Sequence, residues 1–333
     1  METNEFFNKL LAKYDLGHLT DDPLLLPGGL LHESYKLTTS SGNYAVKLIN
    51  PKTFSDEYAL KAFEKESEME NLLAQAGISA VFPIVYDGNK MLEIEGRFFY
   101  LADWFDGIPL SIEEVTSFHC EKVAEQLPRF HNIDIKEVEN NYVELNIDFD
   151  DYAKKCKEAN LPICELLINN LELLKNTLSL YNKASLNIPN IQAICHNDYD
   201  LKNVLWNKDE FRIIDLEAVA YNNPYPEIIN SALSWSGADN LRFDEEKFDI
   251  YLSTYFANSK LDLNINWIDI YDSNSRRLSW LEYNLKNALK DNLAKEEKDA
   301  SILQIEKTIN RIIYFNQIRE NVLSNNKMKN NLD

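Results

Sequence analysis

The chain has 333 residues, with a formal net charge of −20 and a pI of about 4.7. Its 45% hydrophobic and 26% charged residues are typical of a globular protein with a large buried core. Binding to nucleic acid or to an anionic membrane needs basic patches, so this composition argues against both kinds of partner. An acidic surface suits a cationic ligand, although solubility alone explains it equally well.

The cysteines and the hydropathy pattern exclude two further classes of protein. The four cysteines lack the paired spacing of a zinc site, and no apolar stretch is long enough to cross a membrane. The N-terminus carries no signal-peptide pattern. We therefore expect reduced thiols and a cytoplasmic protein.

The first hundred residues predict one helix followed by antiparallel strands. Residues 1–18 have the apolar spacing of an amphipathic helix. Gly28 and Gly29 separate two strand patterns, and adjacent glycines let a backbone approach a bound phosphate closely, although most such pairs are only turns. Further strands are predicted at 44–49, 82–86 and 97–102.

Two charged residues in this region lie among apolar neighbours. Lys47 shares a strand face with Ala45 and Ile49, so it either extends along an exposed edge or reaches into a cleft. Residues 55–76 predict a helix, and Glu66 falls on its apolar face. Since a lone buried carboxylate is costly, we expect it to have a partner, and Lys47 is the candidate. The alternative is that Glu66 lies at the margin of that face.

The composition changes from strand-like to helical at residues 103–107. We therefore predict a lobe at 1–102, a hinge at 103–107 and a second lobe at 108–333. His131 is interpreted as a core or capping histidine. Helices are predicted near 111–131, 150–158, 162–181, 243–256, 267–288 and 300–323.

The pattern most relevant to chemistry begins at Asp198, with Asn203 five residues later and Asp215 at the end of an apolar run. Residues 204–206 and 211–214 predict a β-hairpin with a four-residue loop, and its pairing would place Asn203 beside Asp215. One base and two hard oxygen ligands are the minimum equipment for phosphoryl transfer assisted by Mg²⁺. Each residue alone is better explained as a solvated polar end of the hairpin, but all three at this spacing, with His196 before Asp198, make that the weaker explanation.

The order of these features resembles the aminoglycoside phosphotransferase and choline kinase superfamily, the small-molecule relatives of protein kinases. The resemblance implies an α+β, bilobal, protein-kinase-like fold, with an N-terminal antiparallel sheet lobe and a larger, mainly helical C-terminal lobe. It also implies roles for matching residues: Gly28 and Gly29 in the nucleotide loop, Lys47 on the phosphates, Glu66 as its partner, Asp103 and Phe105 in the adenine-binding hinge, Asp198 as catalytic base, and Asn203 and Asp215 as Mg²⁺ ligands.

Three departures from the family's sequence pattern restrict the kind of kinase that the resemblance implies. Asn197 stands where aminoglycoside phosphotransferases usually have glycine, and Glu227 stands where the family usually has aspartate. Leu216 and Glu217 follow Asp215 in place of the Phe-Gly of protein kinases, and no Ala-Pro-Glu motif occurs, which argues against a protein kinase.

The resemblance implies transfer of the γ-phosphoryl group of ATP or GTP to a hydroxyl of a small, cationic acceptor. The expected partners are this acceptor and the nucleotide, with no nucleic acid and no membrane. A choline, ethanolamine or other metabolite kinase is one alternative, and a kinase-like binding protein without turnover is another. Surface charge is the preferred interpretation of the acidic residues that would otherwise attract amines: Glu144, Asp148, Asp150, Asp151 and Glu217.

Overall fold

A computed structural model of the chain describes residues 3–26, 32–50, 68–135, 144–274 and 276–324. The chain divides into two compact units. The first unit comprises Met1–Leu110 and Lys202–Ala220, and the second comprises Ser111–Leu201 and Tyr221–Asp333. The functional division at 103–107 stays a prediction.

A five-stranded antiparallel sheet and one helix form the N-terminal part of the first unit. Helix α1 spans Thr3–Lys13, and the strands are β1 Leu24–Leu25, β2 Glu33–Thr39, β3 Gly42–Leu48, β4 Met91–Ile94 and β5 Arg97–Asp103. Their order in the sheet is β1-β2-β3-β5-β4. The apolar face of α1 is buried against the sheet, where Phe6, Phe7 and Leu10 share a core with Val46 and Phe99.

Residues 82–86 do not form the strand that their apolar pattern predicts. Strand β4 pairs with β5 instead, and β4 was not expected. Pro83 has no N–H to give to a ladder, and the side chains of Val85 and Tyr86 are exposed. A short apolar run therefore does not define a strand where a proline removes one of the N–H donors that a strand pairing needs.

The remaining strands are short. They are β6 Ile108–Pro109, β7 Ala193–Cys195, β8 Val204–Asn207, β9 Glu210–Ile213 and β10 Ala220–Asn222. Strands β6, β8 and β9 form a three-stranded sheet in that order, with both pairings antiparallel.

Helices make up most of the second unit. They are α3 Ser117–His131, α4 Phe149–Glu158, α5 Cys164–Asn169, α6 Leu171–Asn187, α7 Pro224–Trp235, α8 Glu245–Asn258, α9 Trp267–Asp272, α10 Arg276–Ala288 and α11 Lys295–Leu323. Two predicted helices are each divided into two. Asn170 and Ser273 lie at the breaks, and their side chains hydrogen-bond to carbonyls of the preceding turn, which competes with continued helix.

The second unit has its own core, formed where α4, α5, α6, α10 and α11 meet. Its fully buried members include Leu167, Leu174, Leu281, Leu285 and Ile309. The predicted α+β class, with an antiparallel sheet in the N-terminal region and a helical C-terminal region, is confirmed.

A buried ion pair connects a helix of the first unit to its sheet. The predicted helix at 55–76 is described from 68 to 75, which we label α2. Lys90 Nζ lies 2.9 Å from Glu70 Oε2, and the two side chains are only 9% and 8% exposed. Because breaking an ion pair at this degree of burial is costly, the pair fixes α2 against the segment before β4.

We expect Glu70→Met and Lys90→Met each to lower the free energy of unfolding by about 3–5 kcal/mol, since each removes one partner from a buried ion pair. The double variant should recover much of this loss because it removes both charges. Urea unfolding measures all three. The exposed pair of Lys154 and Glu158, 4.0 Å apart, is the control and should contribute less than about 1 kcal/mol. Additive losses in the double variant would contradict the prediction.

Candidate functional site

The β8–β9 hairpin brings Asn203 close to Asp215. Trp206 pairs with Phe211, as the apolar pattern predicts. The N–H of Ile214 donates to the carbonyl of Asn203 at 2.9 Å, so Asn203 and Asp215 lie on adjacent strand ends. The predicted register is confirmed.

The hairpin loop is shorter than predicted. Asn207 pairs with Glu210, which leaves a two-residue turn where a four-residue loop was expected. Lys208 in this turn has a φ of 55°, and two-residue hairpin turns require such positive φ values. The sequence lacks the Asn-Gly or Asp-Gly pair that would have indicated the turn.

Asp215 has a strained backbone and a half-exposed carboxylate. Its φ of 60° and ψ of 59° are left-handed, a region that residues other than glycine seldom adopt and that often marks functional sites. Asn203 is buried beside it. Together they offer one amide and one carboxylate oxygen, the hard donors that Mg²⁺ takes alongside phosphate oxygens and water. The residues therefore fit a magnesium ion.

Lys47 of β3 reaches this end of the hairpin. Its Nζ lies 3.3 Å from Asp215 Oδ1 and 2.5 Å from Glu217 Oε1. Burial acts to lower the pKa of Lys47, but the two carboxylates outweigh burial and raise the pKa above its ordinary value. Lys47 therefore carries a positive charge beside the candidate metal ligands.

The sequence analysis did not identify Glu217 as a partner of Lys47. His32 also approaches Glu217, with Nε2 lying 3.8 Å from Oε1. The N–H of Asn50 donates to His32 Nδ1, so the proton of the neutral imidazole sits on Nε2 and faces Glu217. Burial is the main reason that the pKa of His32 is lowered. The sequence feature that could have indicated Glu217 as a partner of Lys47 is its position two residues after Asp215.

Three predicted nucleotide-site residues lie outside the described part of the chain, namely Gly28, Gly29 and Glu66. Their roles stay predictions. Glu70, one helical turn after Glu66, is paired with Lys90.

The predicted hinge follows β5 directly. Asp103 is the last residue of β5 and pairs with Tyr44. The carbonyl of Phe105 accepts the N–H of Gly107 at 2.9 Å, and a Cβ at Gly107 would overlap the Phe105 ring. The guanidinium of Arg212 lies 5.2 Å from the centroid of that ring. These contacts give the hinge a defined backbone, while its contact with adenine stays a prediction.

In the second unit, a buried scaffold holds the segment that carries Asp198. The Asp198 N–H donates to Nδ1 of the fully buried His196 at 3.3 Å. The carbonyl of Tyr199 accepts from Ser231 Oγ and from Trp235 Nε1, both at 3.2 Å. The backbone on both sides of Asp198 is thereby fixed to the interior of the unit.

Glu227 is the centre of this scaffold. One carboxylate oxygen accepts the backbone N–H of His196 at 3.2 Å and lies 2.8 Å from His131 Nε2, which donates to it. The other oxygen accepts the N–H of Asn197 at 2.5 Å. His131 Nδ1 is 2.6 Å from the hydroxyl of Tyr255. The prediction of a buried, non-catalytic His131 agrees with this position.

The charge of Glu227 depends on these donors. Burial acts to raise its pKa, but the hydrogen bond and charge of His131, the nearby His196 and the Asn197 N–H outweigh burial, so the pKa is lowered from its ordinary value of 4.5. Glu227 is therefore an ionised carboxylate with its hydrogen bonds supplied by α3 and the catalytic segment.

Asn197 has the backbone conformation that explains its residue type. Its φ is 62°, which glycine adopts freely and asparagine tolerates better than other residues. Its side-chain amide also donates to the carbonyl of Cys195 and accepts from Asn222. Asn197 therefore meets a backbone requirement that glycine would also meet.

His131, Cys195 and Glu227 offer potential ligand atoms within 4.8 Å of one another. The imidazole and the carboxylate already bond to each other at 2.8 Å. Burial, followed by Glu227, raises the pKa of the Cys195 thiol well above its ordinary value, so the thiolate that binds a metal is disfavoured. We therefore interpret this cluster as a hydrogen-bond network.

We expect Glu227→Gln to lower the free energy of unfolding by about 2–4 kcal/mol at pH 7, because a charged acceptor of several buried donors is lost. The folded-state pKa is lowered, so this stabilisation is complete above pH 4.5 and disappears as the pH falls through the folded-state value. Urea unfolding between pH 7 and pH 3 tests both points. Glu121→Gln, exposed on α3, is the control. A difference that does not depend on pH would contradict the assignment.

Asn197→Gly and Asn197→Ala both remove the amide, and they differ mainly in the cost of a positive φ. We expect the glycine variant to be more stable than the alanine variant by about 1 kcal/mol in denaturant unfolding. At an ordinary helical position alanine would be the more stable. Equal stability of the two variants would mean that the left-handed backbone at Asn197 is not required.

Comparison with known proteins identifies the family. A model of the phosphotransferase enzyme family matches residues 24–262. No curated protein sequence matches the chain. Among the described helices, none combines the length and the apolar character needed to cross a bilayer.

Solved structures share the fold at low sequence identity. A spectinomycin phosphotransferase, solved with ADP and spectinomycin, is 13% identical with a TM-score of 0.69, over 94% of this chain and 98% of that one. An ethanolamine kinase of Plasmodium vivax is 16% identical with a TM-score of 0.58, over 91% and 87%. An amicoumacin kinase, solved with AMP-PNP, Ca²⁺ and Ami, is 13% identical with a TM-score of 0.59, over 96% and 100%.

These likenesses establish the kinase-like fold of the family. The family match spans far more than half of the 333 residues and includes the segments of Lys47, Asp198 and Asp215. The chain therefore belongs to the phosphotransferase enzyme family.

Proposed function

We propose that the protein is a small-molecule kinase that transfers the γ-phosphoryl group of ATP or GTP to a hydroxyl of a small acceptor. The observation that carries this proposal is the contact of Lys47 with Asp215 at 3.3 Å, at the hairpin end where Asn203 lies. These contacts support a site in which Lys47 would bind phosphate beside two proposed ligands for Mg²⁺. Family membership supports the same activity, as do the nucleotides in the solved relatives.

The mechanism assigns one task to each group. Lys47 binds the nucleotide phosphates, and Glu217 holds its Nζ in position. Asn203 and Asp215 would hold Mg²⁺, which when bound neutralises charge on the phosphates. Asp198 accepts the proton of the acceptor hydroxyl, on a segment fixed by its own N–H and by Glu227 through Asn197. Orientation of this kind contributes about 7–11 kcal/mol in well-ordered reactions.

The strongest test is turnover of ATP and GTP with Mg²⁺ against aminoglycosides, choline-like amines, amino alcohols and sugars. Asp198→Ala should lower turnover by about 10²–10⁴-fold, since it removes the base, while nucleotide binding persists. Asp215→Ala should weaken nucleotide binding in Mg²⁺ but much less in EDTA. Asp209→Ala, in the exposed turn of the same hairpin, is the matched control.

Full turnover in Asp198→Ala would refute the role of that residue. A protein that binds nucleotide and Mg²⁺ but phosphorylates no compound of the panel would instead favour a kinase-like binding protein. Binding by Asp215→Ala that keeps the Mg²⁺ dependence of the parent protein would refute the ligand assignment.

A further inference from the structure

Arg277, near the start of α10, has a buried guanidinium edge that no residue of the described chain hydrogen-bonds. Its Nε and Nη2 atoms are buried and lack a hydrogen-bond partner within the described residues. The ring of Phe315 covers one face of the group, with its centroid 3.3 Å from Cζ. Arginine remains protonated in proteins, and a buried charge without hydrogen bonds is costly. Such an unsatisfied group indicates a missing ligand or a functional role.

The two unpaired nitrogens lie on one edge of the guanidinium, the edge that binds a carboxylate through two parallel hydrogen bonds. Arg319 of α11 uses the same edge in this way. Its Nε donates to Asp272 Oδ1 at 2.9 Å and its Nη2 donates to Oδ2 at 2.7 Å. In the second unit, the Nε–Nη2 edge of Arg319 is therefore paired with a carboxylate of the protein. The equivalent edge of Arg277 has no such partner among the described residues. Arg277 therefore has the geometry of an oxyanion-binding group whose partner comes from outside the described chain.

The charged groups around Arg277 suit a ligand that carries both a positive and a negative charge. Burial lowers the pKa of Arg277 and the charge of Arg311 acts in the same direction, while Asp239, Tyr271 and Asp200 act to raise the pKa. None of these residues hydrogen-bonds to Nε or Nη2 of Arg277. Two carboxylates and a guanidinium edge that is unpaired among the described residues together match a zwitterion better than a simple amine or a simple acid.

The position of this cluster connects it to the reaction. Asp200 follows the proposed base Asp198 by two residues, and its N–H donates to the Asp198 carbonyl at 2.8 Å. Asp239 is linked to α11 because Arg311 Nε donates to its carbonyl at 2.9 Å. A group held by Arg277 would therefore belong to a molecule that also approaches the base.

We infer that the Nε–Nη2 edge of Arg277 binds a carboxylate of the acceptor, and that the acceptor is a hydroxylated amino acid or a similar zwitterion. Asp200 and Asp239 provide the negative potential for its ammonium group. This inference rests on the proposed kinase function and replaces the simple cation implied by the family resemblance. Because both nitrogens are shielded in the ligand-free chain, binding requires a local side-chain shift, which is common on ligand binding.

Thermal unfolding without ligand tests whether the guanidinium of Arg277 lacks hydrogen-bond partners within the protein. Arg277→Met should raise the Tm by about 2–4 °C, because it replaces an unpaired buried charge by an apolar chain that still packs on Phe315. Arg319→Met is the matched control and should lower the Tm, since it strands the Asp272 carboxylate. If Arg277→Met lowers the Tm as much as Arg319→Met does, Arg277 is structural and the inference fails.

Calorimetric titration with matched pairs of compounds tests the ligand class. L-Serine differs from ethanolamine, and L-threonine from 1-amino-2-propanol, only by the carboxylate, and homologues one carbon longer extend the panel. With ADP and Mg²⁺ present, at least one carboxylated compound should bind about tenfold or more tightly than its partner, as expected for a paired charged hydrogen bond. Arg277→Lys keeps the charge but lacks the edge, so it should abolish this preference, whereas Arg319→Lys should keep it.

Three results would overturn the inference. They are a carboxylate preference that survives in Arg277→Lys, no carboxylated compound that binds the parent protein better than its partner, and binding of inorganic phosphate alone at this site. Turnover of amines without any preference for carboxylates would refute the inference but leave the kinase function intact. Carboxylate binding that depends on Arg277, without phosphorylation, would refute the kinase function but support the site.

Discussion

The buried carboxylate of Glu227 is the interaction on which the catalytic segment depends. It is enclosed by the second unit, where an ionised group is tolerated only if its hydrogen bonds are complete. Its donors come from His131 of α3 and from the backbone of His196 and Asn197. These donors converge only when the segment before Asp198 has its left-handed turn at Asn197. The orientation of the proposed base is thus coupled to the packing of the helical core.

In the first unit, the charge that needs compensation is that of Lys47. Lys47 must remain charged within a partly buried site, and Asp215 and Glu217 supply the compensating charge before any phosphate arrives. In the proposed kinase, nucleotide binding would exchange these carboxylates for phosphates as partners of Lys47, so the lysine would not need to lose water at that step. The left-handed backbone of Asp215 is the local strain that this arrangement requires.

Unlike Glu227 and Lys47, Arg277 has two guanidinium nitrogens without a hydrogen-bond partner among the described residues. Arg319 shows that the same unit can satisfy a guanidinium edge fully with an internal carboxylate. Among the described residues, the Nε–Nη2 edge of Arg277 is therefore an exception to the rule that buried polar groups are satisfied, and such exceptions are concentrated where a protein meets its ligand. The charge of Asp200, two residues from the proposed base, acts to raise the pKa of Arg277, which relates that exception to the acceptor in the proposed reaction.

The sequence by itself determined the features that depend on short-range patterns. Apolar alternation fixed the register of the β8–β9 hairpin and hence the proximity of Asn203 and Asp215, and the order of motifs indicated the family. Only the tertiary structure decided the charge partners. Lys47 meets Asp215 from 168 positions away, Glu217 joins them, and Glu227 meets His131, because folding and not spacing brings these groups together. Proline at residue 83 and back-bonding side chains at Asn170 and Ser273 likewise overrode apolar patterns, since backbone hydrogen bonding outweighs periodicity over a few residues.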